Sequence, residues 1–286
     1  MVNIIKLIRG GYSCILNLYD FLTAEVCIIS IGDILLKRAN IDSCQFTTST
    51  RFLDVNKYYS NTDKTFPYQN MVSRKVWGAE HKEEKGNKEF ESLIKSYEKN
   101  GFYIESLFEV DLDFVLLNGT HRSACNLYFG YDIIKVKHLK RWIPRSHNVY
   151  HQLALNLKSD FYKEVFEAYE NIQDKLIKTG NTFVILVNEE DYPKVYFELR
   201  HVVNILRVSK FKSIDEDIPF DGMLIQCSIS CPNYYSKNGI ITSKYAQKLK
   251  EMYQKIFPKV IVSTSCYEGK LLFQKIKLIS EKEGIA

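Results

Sequence analysis

The sequence predicts a mixed α/β (α+β) fold, and three observations support that class. Residues 89–100 carry apolar side chains at helical spacing and end at an Asn-Gly pair. Residues 114–117 form a continuous apolar run, which is typical of a strand that is covered on both faces. A glycine turn then leads into a second helix over about 120–129 and a strand over 133–136. Helices and strands that alternate in this way are expected to pack as helices against a sheet.

The boundaries of these elements are marked by specific residues. In the first helix the residues at positions i, i+3, i+4 and i+7 are Phe90, Leu93, Ile94 and Tyr97. The second helix follows a turn at Gly119 and is expected to end at Gly130, because glycine readily closes a helix. Residues 107–117 are predicted to be strand structure, with a turn between Asp111 and Asp113.

The segments around this central part are less regular. Residues 3–8 and 25–36 contain short apolar runs that fit either strands or helices. Residues 56–88 are polar and rich in turn residues, so we expect a long surface loop there. Residues 137–150 are basic and are interrupted by Pro144, and we expect them to act as a linker.

After the linker the chain is predicted to form a further α/β region. Residues 151–178 are expected to form one or two amphipathic helices. The other expected elements are a helix at 242–256 and strands at 182–187, 195–198, 202–208, 223–229 and 259–263. We therefore divide the chain into an N-terminal extension that packs on the core (1–44), a central domain (45–140) and a C-terminal α/β region (150–286).

Composition and charge restrict the class of protein. Hydrophobic residues make up 45% of the chain and charged residues 26%, as in ordinary globular proteins, so the chain can bury a core. The net charge of +5 is mildly basic, whereas a dedicated nucleic-acid-binding protein usually carries a larger, clustered excess. A mild excess also suits a protein that binds phosphorylated substrates, so charge alone does not decide between the two. A membrane-spanning helix needs roughly 20 apolar residues, and no apolar run in the sequence approaches that length. No membrane span is therefore expected.

The seven cysteines favour a reducing compartment. Their number is odd, their spacing is irregular and no Cys-x-x-Cys pair occurs. Scattered free cysteines are typical of cytosolic proteins, so a cytoplasmic location is expected. A zinc site needs closely spaced Cys or His ligands, and therefore no metal ligand is assigned from the sequence.

The segment 118–122, Asn-Gly-Thr-His-Arg, is the main candidate for a binding site. A buried strand runs into Gly119 and directly into a helix, whose first N–H groups and dipole favour an anion. His121 and Arg122 add charge and hydrogen-bond donors, and a guanidinium can hold phosphate through two parallel hydrogen bonds. Gly119 allows the backbone to approach the anion closely. The alternative interpretation is an ordinary glycine turn that carries a surface His-Arg pair.

The order and spacing of several motifs resemble the ParB/sulfiredoxin superfamily. Its pattern is an amphipathic helix, a glycine turn, an extended segment, a Gly-x-His-Arg turn that begins a helix, a glycine and an Ile-x-Val strand. The matching stretches in this chain are 90–97, Asn100-Gly101, 109–111, 118–124, Gly130 and 133–136. Pro67 and Gln69, with Arg74 beyond them, are similar to the Pro-x-Gln-x-Arg box of ParB proteins. The resemblance covers about a third of the chain and implies a nucleotide-binding domain over 45–140.

The resemblance also implies roles for single residues. In sulfiredoxins a Ser-Leu-x-x-Thr helix helps to bind ATP phosphates, and Ser92 and Ser96 occupy its hydroxyl positions here. The alternative is two solvated serines. The implied nucleotide-binding set is Ser92, Ser96, Asn118, Gly119, Thr120, His121 and Arg122.

Departures from the family patterns exclude two of its activities. Thr120 stands where sulfiredoxins have their catalytic Cys, and Cys125 lies on the following helix, so reduction of sulfinic acid is not expected. Partition proteins bind CTP with a Gly-Glu-Arg-Arg motif. In this chain His121 stands in place of that acid-bearing pattern. No helix-turn-helix is evident after residue 150, so a role in partition complexes is not expected either.

The match is better to the free serine kinases of the superfamily. They carry Asp-Gly-x-His-Arg, use an acid near the start of the domain as general base and phosphorylate a small hydroxyl compound. Asp54 is a candidate for that base. Asn118 replaces the usual Asp, and Asp111 and Asp113 are candidates to substitute for it. All three acids also fit simple turn or surface positions.

The resemblance therefore implies an ATP-dependent phosphotransferase that requires Mg²⁺. Its acceptor is expected to be a small hydroxyl compound, such as a sugar or an amino-acid-like metabolite, chosen by the C-terminal region. The alternative is a non-enzymatic regulator that binds ATP or CTP, or a DNA-associated ParB-like protein, with nucleic acid the less favoured partner. The sequence indicates neither the acceptor nor the oligomeric state.

Overall fold

A computed structural model describes most of the chain, and it has a mixed α/β (α+β) architecture with two sheets, as predicted. The described residues are 16, 18–36, 43–60, 83–101, 107–143 and 159–279. The helices are α1 (Gly32–Leu35), α2 (Ser43–Ser60), α3 (Glu83–Asn100), α4 (Thr120–Phe129), α5 (Ser159–Lys178), α6 (Tyr192–Leu199), α7 (Lys244–Ile256) and α8 (Cys266–Gln274). The strands are β1 (Glu25–Ser30), β2 (Phe108–Val110), β3 (Leu116–Asn118), β4 (Ile133–His138), β5 (Phe183–Val187), β6 (Asn204–Ser213), β7 (Gly222–Ser228), β8 (Tyr234–Lys237), β9 (Ile240–Ser243), β10 (Ile261–Val262) and β11 (Ile276–Leu278).

The first sheet has six strands in the order β3-β2-β4-β1-β9-β8. Strand β1 lies inside it, antiparallel to β4 and parallel to β9. Buried Cys27 and Ile29 alternate along β1 with more exposed neighbours, as a strand with one buried face requires. The sheet takes strands from 1–44, 45–140 and 150–286, so it crosses the boundaries drawn from the sequence.

The second sheet has five strands in the order β10-β5-β7-β6-β11, and all of its pairings are antiparallel. Every residue of β5 is buried, so this strand is covered on both faces. Phe183, Ile185 and Val187 belong to a large core that also contains residues of the first sheet. Val184 and Leu186 belong to a smaller core on the opposite face. The two sheets therefore share one main hydrophobic core.

A buried carboxylate in α1, that of Asp33, joins three distant parts of the chain. Its Oδ1 accepts hydrogen bonds from the Tyr234 hydroxyl (2.9 Å) and the Cys266 N–H (2.7 Å). Its Oδ2 accepts from the N–H groups of Ser30 (3.1 Å) and Tyr267 (3.2 Å). Burial raises the pKa of Asp33, whereas these hydrogen bonds lower it. The carboxylate connects β1 and β8 to the first turn of α8.

The central predicted elements are confirmed. The predicted helix 120–129 coincides with α4, which ends at Gly130 in a left-handed conformation (φ 82°). The predicted helix 89–100 lies within α3, and the predicted strand 133–136 lies within β4. A turn separates β2 from β3, as expected for 107–117.

Most predicted elements of the C-terminal region are also confirmed. Helix α5 accounts for the described part of 151–178. The predicted strands that overlap observed ones are 182–187, 202–208, 223–229 and 259–263, and the predicted helix 242–256 matches α7.

The strand predicted at 195–198 is wrong, because these residues lie in α6. β-Branched and aromatic residues favoured a strand there. However, Pro193 stands in the first turn, where a helix tolerates proline, and buried Val195 and Leu199 are spaced i, i+4. Burial of that helical face therefore outweighs the local strand preference.

The predicted surface loop 56–88 is wrong at both ends. Residues 56–60 continue α2, and residues 83–88 belong to α3. Tyr58 is almost fully buried in the main core, which favours continuation of the helix through a polar stretch. Residues 61–82 lie outside the described part of the chain.

The strand predicted at 114–117 is only half correct, since β3 begins at Leu116. The carboxylate of Asp111 accepts hydrogen bonds from the N–H groups of Asp113 (3.0 Å) and Val115 (2.9 Å), which closes a tight turn. Within this turn Phe114 is fully buried and has φ 57°, a conformation that costs a non-glycine residue about 1–2 kcal/mol. Burial of the ring offsets that cost.

Three further predicted segments lie at or beyond the edges of the described ranges. Residues 25–36, whose type was left open, form β1 followed by α1. Residues 137–138 of the predicted linker end β4, whereas 3–8 and 144–150 lie outside the described ranges. No helix within those ranges has both the length and the apolar character that crossing a bilayer requires.

We predict that Asp33→Ala lowers the free energy of unfolding by on the order of 3–5 kcal/mol, because it leaves buried donors without an acceptor. Tyr234→Phe removes one of the four donors and is expected to cost about 1 kcal/mol. Urea unfolding followed by circular dichroism measures both variants. Equal unfolding midpoints for Asp33→Ala and the wild type would show that the carboxylate does not hold these elements together.

Candidate functional site

The turn that begins α4 depends on a glycine for two reasons. Gly119 has φ 107°, in a region that L residues with side chains rarely adopt. A Cβ atom at this position would lie 2.4 Å from Cδ1 of Phe108 on β2. The absence of a side chain therefore allows β3 to turn sharply into α4 while the turn packs directly on the sheet.

The start of α4 is an electropositive helix end. The first four N–H groups of a helix have no acceptor within it, and the helix dipole adds positive potential at this end. The first turn of α4 contains no acidic residue. It contains Thr120, His121 and Arg122, so hydrogen-bond donors of the backbone and of side chains are close together.

This helix end opens into a cleft of about 460 Å³, which we call the α4 cleft. Its lining residues are Arg51, Glu89, Phe90, Leu93, Leu117, Asn118, Gly119, Thr120, His121 and Arg122. They come from α2, α3, the end of β3 and the start of α4. The volume is in the range of small-molecule sites, and two arginines give the cleft a positive character.

Burial makes His121 a neutral group. Its pKa is lowered to about 3, mainly because burial disfavours the imidazolium and also because the charge of Arg51 is nearby. The ring packs 5.3 Å from that of Phe90, centroid to centroid. The expectation that His121 adds charge is therefore wrong at neutral pH, where the imidazole contributes one N–H donor and one acceptor.

Arg122 supplies a cation that is held in place by its surroundings. Its guanidinium lies over the Phe108 ring, 4.6 Å from the centroid, in a cation–π contact. Burial lowers the pKa of Arg122, whereas Tyr97 and Glu109 raise it. The Tyr97 hydroxyl also donates a hydrogen bond of 2.6 Å to Oδ1 of Asn126, which fastens α3 to α4. The cleft wall is thereby rigidly connected to the helix that carries Arg122.

Arg51 and Glu89 are cleft residues that the sequence did not indicate. Arg51 lies on α2, with its Nη1 3.9 Å from Oδ2 of buried Asp54 one turn away. No short motif connects Arg51 with the 118–122 segment, because the fold brings them together through contacts between α2 and α4. Glu89 was the first residue of the predicted helix 89–100, and the observed α3 begins earlier, at Glu83.

The structure places the predicted nucleotide-binding residues in two groups. The five residues 118–122 line the α4 cleft together. Ser92 and Ser96 are exposed on α3 and are not among the described residues that line the cleft. Ser96 accepts a hydrogen bond of 3.4 Å from the side chain of Asn100. A role for both serines in binding remains a prediction.

The three predicted catalytic acids also lie outside the lining of the cleft, as far as the structure describes it. Asp54 is fully buried beside Arg51, where it is placed to orient that guanidinium. Asp111 is buried and accepts the hydrogen bonds that close the β2–β3 turn, and Asp113 is exposed in that turn. Their catalytic roles remain predictions, and Glu89 is the acid among the described residues that line the cleft.

Comparisons of this chain with protein-family models, with curated proteins and with solved structures found no match. The interpretation of the α4 cleft therefore rests on its own geometry and on the motifs within the sequence. Those motifs and the observed turn and helix at 118–129 agree in position.

We predict that Gly119→Ala destabilises the protein more than Gly130→Ala does. Both glycines have positive φ, which costs alanine about 1 kcal/mol. At Gly130 nothing lies within 4 Å of an added Cβ, whereas at Gly119 the methyl group would overlap with the Phe108 ring. We expect a loss of about 1 kcal/mol for Gly130→Ala and about 2–4 kcal/mol for Gly119→Ala. Urea denaturation of the matched pair tests this, and equal losses would contradict the described packing of the turn.

Proposed function

We propose that the α4 cleft binds the phosphate groups of a nucleotide and that the protein is an ATP-dependent phosphotransferase. The observation that carries the proposal is the convergence of the α4 amino terminus, Arg51 and Arg122 on one cleft. The positive end of a helix and two guanidinium groups are complementary to a phosphate chain in both charge and hydrogen bonding.

Each group in the cleft has a distinct part in this proposal. The N–H groups of the first turn of α4 donate to phosphate oxygens, and Gly119 permits their close approach. Arg51 and Arg122 hold other oxygens of the phosphate chain, since a guanidinium matches phosphate geometry. Neutral His121 donates one N–H, and a bound anion would favour its protonated form. Phe90 and Leu93 provide an apolar wall for the rest of the ligand.

Phosphoryl transfer also needs a divalent cation and a group that orients the acceptor hydroxyl. Mg²⁺ is typically held by one or two carboxylates together with phosphate oxygens and water, and Glu89 is a carboxylate in the lining that fits this role. Mg²⁺ neutralises the charge that develops on the transferred phosphoryl group. The proposed acceptor is a small hydroxyl compound, such as a sugar or an amino-acid-like metabolite. Asp54 remains the candidate for the general base.

A specific observation also favours a second candidate function. Asp54, Asp111 and Asp113 all lie outside the described lining of the cleft, Asp54 is fully buried, and Asp111 has a structural role in the β2–β3 turn. A cleft that holds phosphate without a base for the acceptor would serve a non-enzymatic regulator. Such a protein would bind ATP or CTP and respond to it, with a protein or DNA as its partner.

We predict that Arg51→Ala and Arg122→Ala each weaken ATP binding by roughly tenfold to a hundredfold, because each removes a charge-assisted hydrogen bond worth about 1.5–3 kcal/mol. Arg207→Ala is the matched control, since Arg207 is an exposed arginine on β6 of the second sheet. Isothermal titration calorimetry with Mg²⁺-ATP measures all four proteins. Unchanged affinity in both cleft variants, or an equal loss in the control, would contradict the proposed phosphate site.

Turnover separates the two candidate functions. Labelled ATP incubated with the protein, Mg²⁺ and a panel of sugars, amino acids and polyols should give a phosphorylated acceptor. Glu89→Gln and Asp54→Asn should then lose turnover by a larger factor than they lose ATP affinity, because the groups that they remove act mainly in the transition state. Intact ATP binding with no phosphorylated product would favour the regulator over the phosphotransferase.

A further inference from the structure

A second group of chemically active side chains lies on the buried face of the first sheet. Glu25 and Cys27 stand two residues apart on β1, so their side chains point to the same face. His138 on β4 is the direct cross-strand partner of Glu25. A carboxylate oxygen, the thiol sulfur and an imidazole nitrogen of these residues all lie within 4.8 Å of one another. Cys27 and His138 are buried, whereas Glu25 reaches solvent.

The orientation of His138 is fixed by the turn that follows β2. Its Nε2 lies 3.3 Å from the carbonyl oxygen of Leu112, and because a carbonyl can only accept, Nε2 carries the proton. The lone pair is then on Nδ1, which lies beside the ammonium of Lys140. The Phe114 ring packs 4.1 Å from the imidazole, centroid to centroid. A hydrogen bond from the far ring nitrogen to a backbone carbonyl is the usual support of a metal-binding histidine.

The ammonium of Lys140 occupies the space between these side chains in the structure. Lys140 Nζ lies 2.7 Å from a carboxylate oxygen of Glu25 and 3.2 Å from Nδ1 of His138. It also donates to the Ser236 hydroxyl at 3.3 Å, and that hydroxyl donates to Glu25. Three acceptors thus surround one cation. Lys140 is partly exposed, so its flexible side chain can move into solvent without disturbing the sheet.

We propose that Glu25, Cys27 and His138 bind a zinc-like divalent transition-metal ion in exchange for the Lys140 ammonium. Cys27 would bind as the thiolate after its proton leaves to solvent, His138 through Nδ1 and Glu25 through a carboxylate oxygen. Water entering from the exposed side would complete a four-coordinate site. This metal site is separate from the nucleotide site and does not depend on its activity.

The ligand set determines the class of metal. Thiolate and imidazole ligands select zinc and similar ions, whereas Mg²⁺ prefers oxygen ligands alone. In tetrahedral zinc sites the ligand distances of roughly 2.0–2.3 Å place ligand atoms about 3.3–3.8 Å apart. The three ligand atoms lie within 4.8 Å of one another and therefore need to close by at most about 1–1.5 Å. Three protein ligands with one open position are typical of catalytic rather than structural zinc.

The competing interpretation is that Lys140 is the permanent cation of this group and no metal binds. The two interpretations make opposite predictions for Lys140→Met, which removes the ammonium but keeps most of the aliphatic stem. If a metal ion exchanges with the ammonium, its affinity should increase by at least about tenfold in this variant, since the competitor is lost. If the ammonium merely satisfies its three acceptors, metal affinity should not increase.

The test is a titration of the full-length protein with Co²⁺, a coloured substitute for zinc. We expect one Co²⁺ per chain, with a thiolate-to-metal charge-transfer band in the near ultraviolet, and displacement by Zn²⁺. Cys27→Ser should abolish the band, and His138→Gln and Glu25→Gln should each weaken binding by at least about tenfold. Cys231→Ser is the matched control, because Cys231 is an exposed cysteine that is not one of the three proposed ligands, and it should retain the band.

Three results would overturn the proposal. These are the absence of the band in the wild type at millimolar Co²⁺, its persistence in Cys27→Ser, and unchanged or weaker Co²⁺ binding in Lys140→Met. Glu25 and Lys140 are partly exposed, so their variants should fold even if Cys27→Ser or His138→Gln does not. The opposite shifts expected for Glu25→Gln and Lys140→Met then decide the question on their own.

Discussion

The structure depends most on the buried carboxylate of Asp33. A carboxylate removed from water is costly unless it is fully hydrogen-bonded, and here it accepts from four donors. Two of the donors, the Tyr234 hydroxyl and the Cys266 N–H, are 201 and 233 residues away in sequence. The carboxylate also faces the positive end of α8, whose dipole stabilises it. It thereby connects the end of β1 and strand β8 to the first turn of α8, and both sheets share one core.

The fold uses the amino termini of two helices in different ways. The first turn of α8 is satisfied from within the protein, by Asp33 and by the Ser265 side chain at its N-cap. The first turn of α4 contains no acid and opens into a cleft with Arg51 and Arg122. An anion from solution can therefore accept hydrogen bonds from the N–H groups of the first turn of α4, as Asp33 does from those of α8. This contrast is the physical basis for the proposal that the α4 cleft binds an anionic ligand.

The parts of the fold that were predictable are those that local sequence determines. Helix 120–129 was predicted to within a residue because glycines bound it and apolar residues recur along it at helical spacing. The strand preference of residues 195–198 was misleading because burial of Val195 and Leu199 selected a helix. Arg51 in the cleft and the Glu25–Cys27–His138 group were not predictable, because contacts between distant segments create them. The burial that makes His121 neutral likewise exists only in the folded chain.

We propose that the α4 cleft holds the phosphate groups of a nucleotide, and a crystal structure of the protein with a non-hydrolysable ATP analogue and Mg²⁺ would show whether it does. We expect phosphate oxygens within hydrogen-bonding distance of the N–H groups of residues 120–122 and of the guanidinium groups of Arg51 and Arg122. An analogue bound elsewhere, or bound in the cleft with its phosphates directed away from α4, would rule out this phosphate site.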